Sequence, residues 1–255
     1  MKREEVDQIA RDTLAADCGC NANLFRSAQV AVVASRPSGG RRYQPGGTLM
    51  IVGYGAGAVI AASEKHFQWA QQELATLGPN QLFSAPGISS VANRLSAKDP
   101  GWELGGPCLR FLCSHETLTP LVPQDEEIEV RLLAPPEFSN LYRRRSELTN
   151  ALGEPGPENA DRIVAAAYQG ESLMAVAGAS EDAARLWQIG VDTLPSAREL
   201  GLATLVVSRL TAHLLENQIA PYYSTRFANV ISQRVARSVG YWPAWVEMEA
   251  RPIRS

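Results

Sequence analysis

Apolar and polar positions alternate along this chain with two distinct periods. Val6, Ile9, Ala10 and Leu14 recur at helical spacing, so the pattern predicts a helix over Glu4 to Ala16. Short runs rich in valine and isoleucine predict strands at Val30 to Ala34 and Thr48 to Val52, the first ended by a turn at Arg36 to Gly40. Gly57 to Ala62 continues the sheet, helices are expected at Phe67 to Leu77 and Ser89 to Ala97, and Gly78-Pro79 closes the first of them. Ser114 to Glu127 has two prolines, an acidic run and no periodicity, and reads as a linker. Beyond it the pattern gives a strand at Ile128 to Leu132, a helix at Glu137 to Leu148, and strands at Arg162 to Tyr168 and Ser172 to Ala177 joined by a Gln169-Gly170-Glu171 hairpin. A strand at Leu186 to Leu194, a long helix at Ala197 to Glu216, a strand at Ala220 to Thr225, a helix at Val230 to Val239 and a strand at Ala244 to Glu249 complete it. The expected division is a smaller α/β domain over residues 1–122 and a second domain over 126–255, in the order β-α-β-β-β-α-β-α-β.

The formal net charge is −3, which gives no electrostatic pull toward nucleic acid or an anionic membrane. A phosphate-bearing ligand must then be held by local backbone geometry. No apolar run reaches membrane-spanning length. Cys18, Cys20, Cys108 and Cys113 lack both zinc spacing and the density of a disulfide framework, which points to a reducing cytoplasm and no metal site. Gly53-Tyr-Gly-Ala-Gly57 lacks the third glycine of a dinucleotide loop and the lysine of a P-loop, so it reads as a bend or bulge in a sheet.

The segment Val191 to Thr204 is different. A strand ends there, Pro195 marks the exit, and a long amphipathic helix begins within a few residues. At such a junction several N–H groups lack intrahelical partners, and the helix dipole favours an anion. Gly201 and Ala203 are small enough for a ligand to approach the backbone, and Arg198 adds a cation.

Arg198-Glu-Leu-Gly201-Leu-Ala203 resembles the (Arg/Gln)-x-x-Gly-x-(Gly/Ala) loop of the GNAT superfamily of N-acetyltransferases. The strand Trp187 to Thr193 before it and the block Asn229-Val-Ile-Ser232…Gly240-Tyr241 after it are similar to that family too. The resemblance covers the last half of the chain; the whole resembles a bacterial GNAT group with an extra amino-terminal domain. It implies a mixed, splayed central sheet and acetyl-CoA as acyl donor. It further implies that Val191 and Thr193 offer backbone groups to the pantetheine arm. Arg198, Glu199, Leu200, Gly201, Leu202, Ala203 and Thr204 would hold the pyrophosphate, and Asn229 and Ser232 would line the thioester end. The strands at Val191 and Tyr222 form a βαβ crossover expected to be parallel, and Gly190 permits the bulge that starts their splay.

One departure stands out. Many family members carry a tyrosine seven residues after the asparagine as general acid, and here Ala236 occupies that place. Tyr222 and Tyr223 lie on the adjacent strand and face opposite sides, which makes Tyr223 the candidate acid, with core packing as the competing role for both. For the general base, Asp192, Glu247 and a water chain stand open. His66, His115 and His213 show no catalytic pattern, Arg143 to Arg145 fit a solvated face, and Trp242 and Trp245 fit the core. The expected function is direct transfer of an acetyl or short acyl group to an amine, on a small molecule or a peptide, in a ternary complex. The alternative is a non-catalytic acyl-CoA sensor. A second copy of the chain stays open as a partner.

Overall fold

The computed structural model describes residues 1–36, 39–42, 48–156 and 158–253. Its elements run α1 (Arg3–Cys18), β1 (Val30–Ala34), β2 (Leu49–Tyr54), β3 (Gly57–Ala62), α2 (Glu64–Trp69), α3 (Pro79–Leu82), α4 (Ala85–Lys98), β4 (Trp102–Leu112), β5 (Ile128–Leu133), β6 (Asp161–Gln169), β7 (Ser172–Ala183), β8 (Leu186–Thr193), α5 (Leu202–Glu216), β9 (Ala220–Arg226), α6 (Val230–Val239) and β10 (Trp242–Pro252). The turn expected at Arg36 to Gly40 includes Pro37 and Ser38, which lie outside the described residues.

Two compact units interleave along the chain. One holds Met1–Ile9, Phe111–Ser224 and Asn229–Trp242; the other holds Ala10–Arg110, Thr225–Ala228 and Pro243–Ser255.

In the first unit the strand order is β9-β8-β7-β6-β5. Antiparallel hairpins join β5 to β6, β6 to β7 and β7 to β8, as near-neighbour strands with short connections favour. β8 and β9 pair in parallel, as a strand–helix–strand crossover requires. Helix α5 is the crossover, and its apolar stripe, including Leu205, Val206, Leu210 and Leu214, is buried. A separate cluster of Phe138, Leu148, Leu152, Val164 and Val176 is buried in the same unit.

In the second unit the order is β1-β3-β2-β10-β4. β1 runs parallel to β3, while β2 pairs antiparallel with β3 and with β10. Ile51, Ile60, Met248, Trp69, Leu82, Val91 and Leu95 form its core. Gly55 and Ala56 form the turn of the β2–β3 hairpin, so the glycine-rich stretch there shapes a sheet. A buried ion cluster occupies the same unit. Arg41 bonds Asp17 at 2.7 Å and Glu247 at 3.0 Å, and the Arg110 Nε and Trp245 indole donate to Glu247 at 3.0 and 2.8 Å.

Four expectations change. The long helix begins at Leu202, not Ala197, because Glu199 (φ 67°) and Gly201 (φ 73°) adopt left-handed backbone that an α-helix excludes. Glu137–Glu147 is a 3₁₀ helix broken at Arg144 rather than an α-helix. β4 went unread, since Gly105, Gly106 and Pro107 interrupt its apolar pattern. Ser114 to Glu127 is tied down along part of its length. Thr119 N–H donates to the Val239 carbonyl at 2.9 Å, the Ser208 hydroxyl donates to the Thr119 carbonyl at 3.0 Å, and Leu121 N–H donates to Ser208 Oγ at 3.1 Å.

Candidate active site

The site begins where two parallel strands part. β8 and β9 pair only from Leu186–Ala220 to Ile189–Tyr223. Both strands run on, β8 to Thr193 and β9 to Arg226, without pairing to each other. Val191 and Thr193 keep their partners Ala177 and Ala175 on β7. Backbone groups on the β9 side of β8 are therefore available to a ligand that mimics a strand.

The splay starts at Gly190, and the reason is crowding. Gly190 pairs with Gly178 across β7. A Cβ on Gly190 would lie 1.8 Å from the Asn150 carbonyl oxygen, and one on Gly178 would lie 1.8 Å from that of Ala151. The two glycines let the Asn150–Ala151 segment rest on the sheet. Asp192 fastens that segment: its carboxylate accepts from Asn150 N–H at 2.7 Å, Asn150 Nδ2 at 2.6 Å and Ala151 N–H at 2.8 Å. Asp192 is a clamp, and both of its oxygens already accept hydrogen bonds.

Past Thr193 the chain makes one short 3₁₀ turn, Pro195–Ala197, and enters the loop before α5. Gly201 is the N-cap in left-handed backbone, with no side-chain cap on the helix. The first intrahelical bond comes from Leu205 N–H to the Gly201 carbonyl at 3.1 Å. The N–H groups of Leu202, Ala203 and Thr204 precede it and are aimed out of the helix end. Nothing lies within 4 Å of where a Gly201 Cβ would stand, so an anion has room to reach them. These residues fit a diphosphate. A cleft of about 630 Å³ opens here, lined by Leu121–Asp125, Ile128, Gln169, Glu199–Leu202, Thr204 and Leu205. Arg198 is exposed and does not line it.

At the other end of the splay, Tyr223 and Ser232 come together, Oη to Oγ at 2.9 Å. Asn229 caps α6 by accepting from Ser232 N–H at 3.1 Å, which fixes Ser232 in the first turn. Tyr222 faces the opposite way, donating to Asp182 and, at 2.8 Å, to Gln188 Oε1. Burial pushes the Tyr223 phenol above the ordinary tyrosine value; the Ser232 hydrogen bond lowers it and the Asp192 charge raises it further. The phenol stays protonated at neutral pH and is available as a donor. Tyr241, buried beneath it with ring centroids 5.9 Å apart, is bonded to Thr211 at 2.7 Å.

Residues 164–244 match the family model for GNAT acetyltransferases. This segment belongs to the GNAT family. Every candidate site residue, from Val191 to Ser232, falls inside the GNAT match. No curated protein matches the chain. Among solved structures, the chain is similar to a GCN5-related N-acetyltransferase from Kribbella flavida, with 20% identity, TM-score 0.43, and 64% of this chain and 63% of that one covered. It is similar to a GNAT-family acetyltransferase from Colwellia psychrerythraea at 17% identity and TM-score 0.45, with 76% of each chain covered. A third is an aminoglycoside N-acetyltransferase in complex with CoA, at 18% identity and TM-score 0.37, covering 53% of this chain and 97% of that one. No helix among the described residues is long and apolar enough to cross a membrane.

Of the candidate bases, Glu247 is taken by the ion cluster. Burial pushes its carboxyl up, but the Arg110 and Arg41 guanidiniums more than offset this and hold it at about 2. Such a carboxylate is too weak a base to accept an amine proton near neutral pH. Sequence reasoning missed the Asp192 clamp and the cleft wall at Leu121–Asp125. The Gly178–Gly190 pair is the one signal that pointed to a chain crossing the sheet at that place.

Proposed function

We propose that this GNAT acyltransferase moves an acetyl group from acetyl-CoA to a primary amine by direct attack. The observation that carries this reading is the parting of β8 and β9 beside the bare amino end of α5. The diphosphate sits at the N–H groups of Leu202, Ala203 and Thr204, and the pantetheine arm lies along Val191 and Thr193. When bound, the cofactor supplies the thioester to be attacked. The amine lone pair adds to the carbonyl carbon, a C–N bond forms and the C–S bond breaks. Tyr223 Oη, which Ser232 orients, would donate a proton to the departing sulfur; the surplus amine proton leaves to water, and water returns a proton to Tyr223. No covalent acyl-enzyme is required.

The experiment is a calorimetric titration of acetyl-CoA into the wild type and Gly201→Glu, followed by thiol-release assays against a panel of amines. Gly201→Glu places a carboxylate at the diphosphate and strains a left-handed position, so binding should be lost in a chain that still unfolds cooperatively. Unchanged affinity in the variant would remove the cofactor from this loop. A second reading, an acyl-CoA-binding module without turnover, is favoured by Ala236 at the usual tyrosine position and by the prior engagement of Asp192 and Glu247. Tight acetyl-CoA binding with no thiol release from any amine would select it.

A further inference from the structure

The four cysteines, all free thiols, do not share one environment: Cys18 and Cys113 are buried, while Cys20 and Cys108 are half-buried. Two of them are neighbours in sequence, and the chain folds so that their side chains meet. α1 ends on Cys18, and Gly19 follows in left-handed backbone at φ 68°. Gly19 N–H donates to the Ala16 carbonyl at 3.4 Å and Cys20 N–H to the Ala15 carbonyl at 2.9 Å. This pair of bonds turns a chain back over the end of its own helix. No side chain fits at the turn, since a Cβ on Gly19 would stand 2.3 Å from the Arg36 carbonyl oxygen. Asp17, one residue before the pair, is anchored too, accepting from Arg41 N–H at 2.6 Å and Arg41 Nε at 2.7 Å. Held this way, Cys18 and Cys20 hydrogen-bond to each other through their thiols. A chain that turns back at Gly19 also keeps their Cα atoms within the reach of a disulfide.

The two members of the pair are not equivalent. The hydrogen bond to Cys20, with burial second, pushes the Cys18 thiol well up, so Cys18 keeps its proton and is the donor. The same bond lowers the Cys20 thiol, against the opposing effect of its own burial. The carbonyl end of α1 also works against a negative sulfur, which leaves the Cys18 hydrogen bond as the contact that favours it. Burial raises the other two thiols, Cys108 in direction and Cys113 to about 11. Cys20 is therefore the cysteine whose thiolate is favoured, and solvent reaches it. Sulfur exchange needs a reachable thiolate as nucleophile and a second thiol close enough to resolve the product, and this turn supplies both.

We propose that Cys20 and Cys18 form a thiol–disulfide exchange site for low-molecular-weight disulfides, built from residues that the acyl-transfer chemistry does not use. The Cys20 thiolate attacks one sulfur of R–S–S–R; that S–S bond breaks, and the first R–S⁻ leaves and takes a proton from water. Cys18 then gives its proton to water and attacks the Cys20 sulfur of the mixed disulfide. A Cys18–Cys20 disulfide forms and the second R–S⁻ leaves to be protonated. Both protein thiols are oxidised, and the small disulfide is reduced to its thiols.

The test treats the full chain with oxidised glutathione at neutral pH, counts free thiols and maps the modified peptides by mass spectrometry. The expected product carries a Cys18–Cys20 disulfide and no bound glutathione, and a reducing agent restores all four thiols. Cys18→Ala should stop at a glutathione adduct on Cys20, and Cys20→Ser should keep its remaining thiols. Iodoacetamide should alkylate Cys20 of the wild type several-fold faster than Cys108, whose thiol burial pushes the other way. Thermal melts check that each variant is folded. A wild type that keeps every thiol would overturn the site, as would a first adduct on Cys108. So would a glutathione adduct that persists on Cys20 with Cys18 in place, and this outcome is read on the wild type alone should Cys18→Ala fail to fold. None of these readouts involves acetyl-CoA, so they stand apart from the acyl-transfer reading.

Discussion

Replacing Asp192 by alanine separates two roles that its position invites. A carboxylate beside the reacting centre reads naturally as the base that deprotonates the amine. The structure instead spends it on three hydrogen bonds, at 2.6 to 2.8 Å, from Asn150 and Ala151. Hydrogen bonds to a charged acceptor contribute about 1.5–3 kcal/mol each when shielded, and markedly less when water competes. Asn150 is exposed and its amide and side chain can turn to solvent, whereas Ala151 is 3% exposed and its N–H would be left without an acceptor. Asp192→Ala should therefore lower the unfolding free energy by about 2 kcal/mol, most of it from the Ala151 N–H and the charge on it. The Asn150–Ala151 segment, held down over Gly178 and Gly190, is the part released. Urea unfolding reads the stability, and kcat for acetyl transfer to the best amine, corrected for folded fraction, reads the chemistry. A clamp predicts the stability loss with kcat reduced less than about tenfold. A base predicts the reverse. An unchanged urea midpoint with kcat down by about 10²-fold or more would refute the clamp.

Other outcomes follow from the same geometry. Tyr223→Phe should lower kcat by about 10²-fold, the low end for general acid catalysis because a thiolate is a good leaving group, with KM for acetyl-CoA little changed; a kcat within twofold of wild type would remove Tyr223 from the chemistry. Since burial raises the Tyr223 phenol, any alkaline limb of kcat belonging to it should lie above pH 10, and a limb near pH 8 would belong to another group. Glu247 is held at about 2 in the folded chain, below its ordinary 4.5, so it stabilises the fold above pH 4.5 and that contribution, about 3 kcal/mol, is lost as pH falls from 4.5 toward 2. Denaturation midpoints measured from pH 6 to pH 2.5 should show that slope, and Glu247→Gln should flatten it; an identical slope in the variant would assign the acid sensitivity elsewhere.

Much of the fold was legible because its elements announce themselves locally. β1, β3, α6 and the hairpins of β6 to β8 carry clean apolar periods, and their turns carry glycine where the backbone demands it. β4 was not legible, since Gly105-Gly106-Pro107 removes the alternation while neighbouring strands still supply pairing. The start of α5 misled for the opposite reason. Ala197 to Leu202 has helix-forming residues, but the left-handed turn at Glu199 and Gly201 is set by the loop as a whole, not by single-residue preference. The pairing of β10 with β2 joins residues about 200 positions apart, and no local pattern encodes such a partner.

The site divides along the same line. The bare amino end of α5 was readable because its free N–H groups follow from a glycine and the junction of strand and helix. The opposite facing of Tyr222 and Tyr223 was readable because strand side chains alternate, and their separate partners Gln188 and Ser232 show it. Asp192 could not be resolved, because a carboxylate's role depends on what its oxygens already hold. Its partners lie 41 and 42 residues earlier, and the visible mark of their crossing is a pair of glycines facing each other across β7 and β8. Those glycines matter twice. They make space for the Asn150–Ala151 crossing, and the crossing in turn draws the Asp192 carboxylate onto its N–H groups. Substituting Gly190 by alanine should thus break the same device from the other side, since a methyl group cannot share space with a carbonyl oxygen 1.8 Å away. A Gly190→Ala variant as stable as wild type, by urea unfolding, would show that the crossing is held by something other than the fit over this glycine pair.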